Sequence, residues 1–147
     1  MSDYVVVDAS VWVARLIDQD TFHSISRQWL DEQRANVVRF LAPTLLLVEV
    51  AAAISRRTGD SHLAQRSVGA LENLPDLRLV DMDRNVVQIA AHVGADLGVR
   101  GADAFYIAIA QQLNLPLATL DIDQRERANK VISILEIKEG TAHENYG

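Results

Sequence analysis

Apolar positions along the chain recur with two different periods, and their alternation sets out the fold. Tyr4 to Val7 is a short β-branched stretch that ends on Asp8, the pattern of a buried strand, with a helix expected from about Ser10. Phe22, Ile25, Trp29 and Leu30 recur at helical spacing behind Asp20 and Thr21 and predict a second helix reaching about Arg34. Val37 to Leu41 reads as a strand. Pro43 and Thr44 then introduce a helix over LLLVEVAAAISRR that Gly59 should stop. Leu63, Ser67, Val68, Leu71 and Leu74 mark the next helix, closed by Pro75, and Leu77 to Val80 the next strand. Val86, Ile89, Ala90, Val93 and Leu97 keep one apolar stripe. Ala102 to Leu113 reads as a helix, Pro116 to Thr119 as a strand and Val131 to Ile137 as a last strand.

Short strands alternating with helices predict an α/β domain, a three-layer α/β/α sandwich on a mainly parallel sheet of about five strands. In such sheets ligands bind beyond the carboxyl ends of the strands, where the strand order reverses. At 147 residues, 1–147 is expected to be a single domain, with about 138–147 a polar, mobile tail.

Composition narrows the chemistry. The chain is 49% hydrophobic and 23% charged, so it should fold. It has no cysteine, which excludes disulfides, thiolate metal sites and cysteine nucleophiles together and suits a reducing cytoplasm. The N-terminus lacks a signal-peptide pattern, and the longest nearly apolar stretch, Leu41 to Ile54, is interrupted by Pro43, Thr44 and Glu49. A cytoplasmic protein without membrane contact is expected. The net charge of −6 argues against a broadly basic nucleic-acid-coating surface. His23, His62, His92 and His143 form no metal-binding motif.

The informative residues are acids inside apolar surroundings. Asp8 follows the first strand and could cap the next helix, and Asp121, Asp123 and Asp103 share that ambiguity. Glu49 differs, because its neighbours at i±3 and i±4 are Leu45, Leu46, Ala52 and Ala53. A carboxylate on that face needs a basic partner, a proton or a cation. If Asp8, Glu49, Asp103 and Asp121 converge, each pair about 4 Å apart repels by roughly 4 kcal/mol at an effective dielectric of 20. Such an all-oxygen cluster suits Mg²⁺ or Mn²⁺.

The segments VVVDASVWVA, APTLLLVEVAAAI, RGADAFYIAIA and LPLATLD occur in the order seen in PIN-domain proteins. From Val5 to about Ile137 the chain resembles a VapC-type ribonuclease toxin. That resemblance implies an Mg²⁺- or Mn²⁺-dependent endoribonuclease, one half of a toxin–antitoxin pair, with RNA as substrate, a cognate antitoxin as partner and a homodimeric toxin. It maps the catalytic acids onto Asp8, Glu49, Asp103 and Asp121. By that resemblance Asp8 and Asp103 are expected as metal ligands, Glu49 as a ligand or water-orienting base, Asp121 as a direct or water-mediated ligand that completes the pocket, and Asp123 as a candidate fifth acid. Ser10 and Thr119 stand where the family has supporting hydroxyls, each with a purely structural alternative as cap or strand hydroxyl. Arg56, Arg57 and Arg100 are candidates for RNA contact by proximity to these motifs. Trp12 and Trp29 are either core or apolar anchors for a partner.

Two other classes fit parts of the pattern: a non-catalytic PIN-like domain whose acidic pocket docks a basic partner, and a phosphotransfer α/β domain. The second is weakened by Asp8-Ala9-Ser10 in place of DxD and by the lack of a lysine at a late strand end.

Overall fold

The computed structural model describes residues 3–138. Four strands, β1 (Tyr4–Val7), β2 (Arg39–Pro43), β3 (Leu77–Val80) and β4 (Leu117–Ala118), form one sheet in the order β3-β2-β1-β4, and every pairing is parallel. The expected fifth strand is reduced to a single parallel bridge between Leu117 and Ile134. Residues 139–147, most of the expected tail, and His143 with them, lie outside the described residues.

Among the described residues six helices connect the strands, α1 (Ala9–Leu16), α2 (His23–Ala35), α3 (Leu45–Thr58), α4 (Ser61–Glu72), α5 (Arg84–Leu97) and α6 (Gly101–Leu113), and a seventh, α7 (Ile122–Ala128), follows β4. The chain steps from β1 to β2 to β3 in one direction, then returns past β1 to β4. Right-handed crossovers place α1–α4 on one face of the sheet and α5–α6 on the other, giving three layers. In agreement, α1 packs on α2 and α3, α3 on α4, and α5 on α6.

Local chemistry sets the helix ends. Asp60 caps α4 by accepting from Leu63 N–H (2.9 Å), and Asp83 caps α5 by accepting from Val86 N–H (2.9 Å). Gly59 stops α3 as expected, in the left-handed region at φ 69°, and Gly98 ends α5 at φ 67°. Val37, by contrast, adopts φ 62° without being glycine. That turn delays β2 to Arg39, two residues after the expected start.

β1 is buried at Val5, Val6 and Val7, as a strand covered on both faces must be. Phe40 of β2 lies edge-on to Trp12 (5.5 Å between centroids) and tilted against Trp29 (6.4 Å). Both tryptophans are buried, so they belong to the core and are not partner anchors. Among the described residues no helix is long and apolar enough to cross a membrane.

Candidate active site

The strand order reverses between β1 and β4, and the acids gather at the carboxyl end of that pair. Asp8 leaves β1 directly and caps α1, its Oδ2 accepting from Ser10 N–H (3.1 Å). Asp121 follows β4 after Thr119 and Leu120 and caps α7, its Oδ1 accepting from Gln124 N–H (3.0 Å). Asp103 reaches the same edge from α6. It does not cap that helix. α6 starts two residues earlier, at Gly101, with Arg100 in the capping position, and Asp103 sits in the first turn, where the helix dipole favours an anion. Glu49 comes from the middle of α3.

Two hydroxyls tie the strand ends together. Ser10 Oγ accepts from Leu120 N–H (3.0 Å) and lies 3.4 Å from Thr119 Oγ1. The Thr119 hydroxyl faces Asp8 Oδ2 (3.2 Å) and Gln124 Oε1 (2.7 Å) and accepts from Asp121 N–H (3.1 Å). Thr119 and Gln124 are buried. Capping and site support are thus one set of hydrogen bonds here, since the bonds that start α1 and α7 also fix Asp8 and Asp121.

The electrostatics are those of carboxylates held in a poor solvent. Burial pushes the Glu49 carboxyl up to about 7; the Tyr106 hydroxyl, donating to its Oε1 at 2.7 Å, opposes that rise, and the charges of Asp8 and Asp103 reinforce it. Asp103 is raised by burial and then by Asp8. Tyr106, itself buried beside these acids, is held above the ordinary tyrosine range. Arg100 counters this charge: its Nε donates to Asp103 Oδ2 (3.2 Å) and its Nη2 to Asp121 Oδ2 (2.7 Å). Asp103 chiefly, through its charge and hydrogen bond, raises the arginine's pKa.

Asp8, Glu49, Asp103 and Asp121 are therefore brought within electrostatic reach of one another, with Ser10 and Thr119 among them. Asp123 is not. It is exposed on α7 and paired with Arg127 (3.1 Å). Beside the acids opens a cleft of about 660 Å³ walled by Ser10, Glu49 and Asp121, by the apolar Phe22 and Val48, and by Arg56. Arg57 also lines it and is paired with Asp20 (2.8 Å).

Tyr106 and Gln124 were not singled out by sequence reasoning. Tyr106 carried a usable signal, since it lies three residues beyond Asp103 and so on the same helical face. Gln124 carried none, being one polar residue in the polar segment IDQRERA.

As they stand, no three Asp, Glu, His or Cys side chains among the described residues converge closely enough to hold a metal ion. The donor chemistry does fit a hard divalent cation: the groups are all oxygen donors, two carboxyls are raised by burial and mutual charge, and a guanidinium already supplies countercharge. Asp8 Oδ1, Glu49 Oε2 and Asp103 Oδ1 have no protein hydrogen-bond partner among the described residues and are free to bind one.

The PIN domain family matches residues 5–130 of the chain. Comparison with curated protein sequences gives no significant match. Among solved structures, the chain is similar to VapC20 of Mycobacterium tuberculosis, a toxin that cleaves the sarcin–ricin loop. The TM-score is 0.72 at 17% identity, covering 83% of this chain and 93% of that one. It is also similar to VapBC2 of Rickettsia felis, solved bound to a DNA fragment from its promoter (TM-score 0.69, 13% identity, 92% and 99% covered). A third similar structure is FitAcB of Neisseria gonorrhoeae (TM-score 0.66, 20% identity, 89% and 96% covered). At these identities the likeness establishes the shared fold.

Proposed function

The chain belongs to the PIN domain family, and on that premise we propose that it is a divalent-metal-dependent endoribonuclease, the toxin of a toxin–antitoxin pair. One observation carries the reading: Asp8, Glu49, Asp103 and Asp121 surround the point where the strand order reverses, with Asp8 and Asp103 near enough for their charge to raise the Glu49 carboxyl. Structural acids are commonly paired one to one with bases. Here one arginine pairs with two of the four acids, Asp103 and Asp121, and the remaining charge calls for a cation.

Asp8 and Asp103 would hold Mg²⁺ or Mn²⁺, with Glu49 and Asp121 completing the shell. The cation, when bound, lowers the pKa of a coordinated water and offsets charge on the phosphoryl oxygens. The protein groups around it have separable tasks. Glu49 Oε2 would either join that shell or, in its place, orient the attacking water and take its proton, while Tyr106 holds Oε1 in place. Ser10 and Thr119 fix the rotamer of Asp8. Arg56 on the cleft wall is placed to meet RNA phosphate.

The same cleft suits an antitoxin segment with apolar and basic residues, since Phe22 and Val48 are exposed beside carboxylates. The similarity to solved VapBC structures supports a protein partner.

The test is cleavage of purified RNA by the purified protein with Mg²⁺, with Mn²⁺ and with EDTA. Cuts that require the cation are expected. RNA left intact in all three conditions, with a basic peptide still bound in the cleft, would replace the nuclease reading with a non-catalytic docking domain.

A further inference from the structure

Arg100 is an unusual residue for its position. It occupies the capping place of α6 with extended backbone, makes no side-chain cap hydrogen bond, and puts a cation at the positive end of a 13-residue helix. Helix formation does not explain an arginine there, and neither does packing, because its side chain is 76% exposed. What holds it is the pair of carboxylates: one guanidinium bridges Asp103 Oδ2 and Asp121 Oδ2, acids separated by 18 positions in the chain.

We propose that Arg100 is a displaceable counter-ion of the acidic site, which a divalent cation releases to bind the RNA backbone. This rests on the nuclease reading above. The guanidinium end of this bridge is open to solvent although its carboxylates are largely buried, so a cation arriving from solution competes with it directly. A doubly charged cation on this cluster offsets more of its charge than one guanidinium does, so even when it sits on the free oxygens it weakens the hold of Asp103 and Asp121 on Arg100. Once freed, the arginine stands at the rim of the site, where its planar fork matches two phosphate oxygens. Arg100 is then a positioning residue with two states: it limits repulsion among the acids in the empty site, and it contacts substrate only in the loaded one.

The experiment compares wild type, Arg100→Gln and Arg100→Lys by calorimetric titration with Mn²⁺ and by fluorescence anisotropy with a phosphorothioate RNA oligonucleotide. Anisotropy is read in Mg²⁺ and in EDTA. If the guanidinium occupies the carboxylates about nine-tenths of the time, Arg100→Gln should bind Mn²⁺ about tenfold more tightly. The same variant should bind RNA about tenfold more weakly in Mg²⁺ and show little change in EDTA, a conditional loss that a merely structural residue would not give. Arg100→Lys, which keeps the charge but cannot bridge two carboxylates, should fall between in both titrations. An unchanged or weakened Mn²⁺ affinity in Arg100→Gln would overturn the proposal while leaving the nuclease reading intact. So would an equal loss of RNA binding with and without Mg²⁺. Failure of wild type itself to bind Mn²⁺ would overturn both.

Discussion

The Tyr106 hydroxyl donates to Glu49 Oε1 at 2.7 Å, joining the middle of α6 to the middle of α3 across the carboxyl edge of the sheet. The bond favours the charged carboxylate, yet burial outweighs it and the carboxyl still rises to about 7. Glu49 is therefore a carboxyl that folding makes harder to ionise.

That shift has a sign for stability. Folded Glu49 holds its proton more tightly than the unfolded chain does, so stability is greatest below the ordinary value of 4.5 and falls as pH rises from there through about 7. Because Glu49 is only half-buried, solvent screening reduces the loss to about 1–2 kcal/mol. Glu49→Gln removes it while keeping an acceptor for Tyr106. In EDTA the variant should melt above wild type at pH 8 and close to it at pH 4.5. A variant that melts below wild type at pH 8 would show that Glu49 is paired rather than strained.

A cation must displace the Glu49 proton, so binding should strengthen as pH rises. The increase in melting temperature on adding Mg²⁺ is expected to be larger at pH 8 than at pH 6, and smaller in Glu49→Gln than in wild type at pH 8. Equal Mg²⁺ shifts at both pH values would remove Glu49 from the shell.

Much of this site was legible in the sequence. Asp8 stood out because a β-branched stretch ended on it, and Glu49 because helical spacing surrounded it with Leu45, Leu46, Ala52 and Ala53. What was not legible depended on contacts made in three dimensions or on weak local signals. Helix α7 has seven residues and no apolar period, so Asp121 could be read as a cap but the element it caps could not be seen. The stretch Val131 to Ile137 is β-branched and apolar, and it lies beside β4, which has only two residues and offers a partner for one bridge. Arg100 was legible only as a candidate for RNA contact, because its bridge between Asp103 and Asp121 joins residues far apart in the chain.

Backbone strain offers a check on the fold outside the site. Val37 holds φ 62° and is 76% exposed as a residue, so its β-branched side chain meets a backbone conformation that disfavours it and gains little from packing. Val37→Gly should stabilise by about 1 kcal/mol net of the glycine's extra chain entropy, a rise of about 2–4 °C in Tm. A lower Tm would mean that this turn is not left-handed.

The cleft wall can be separated from the chemistry. Val48 is 66% exposed beside the acids, on the helix that carries Glu49. Val48→Arg, which adds bulk and a like charge, should weaken the complex with a co-expressed basic partner at least about tenfold while RNA cleavage by the free protein persists. Partner binding at wild-type strength would place the interface elsewhere.

The most direct measurement is RNA cleavage by Asp8→Asn and Asp103→Asn in Mg²⁺ and Mn²⁺, beside wild type, with folding verified by circular dichroism. Each substitution keeps the side-chain volume and removes one negative charge from the cluster, so a folded protein with at least about a hundredfold lower cleavage rate is expected. Cleavage at near wild-type rate by either folded variant would contradict a metal site built on these carboxylates.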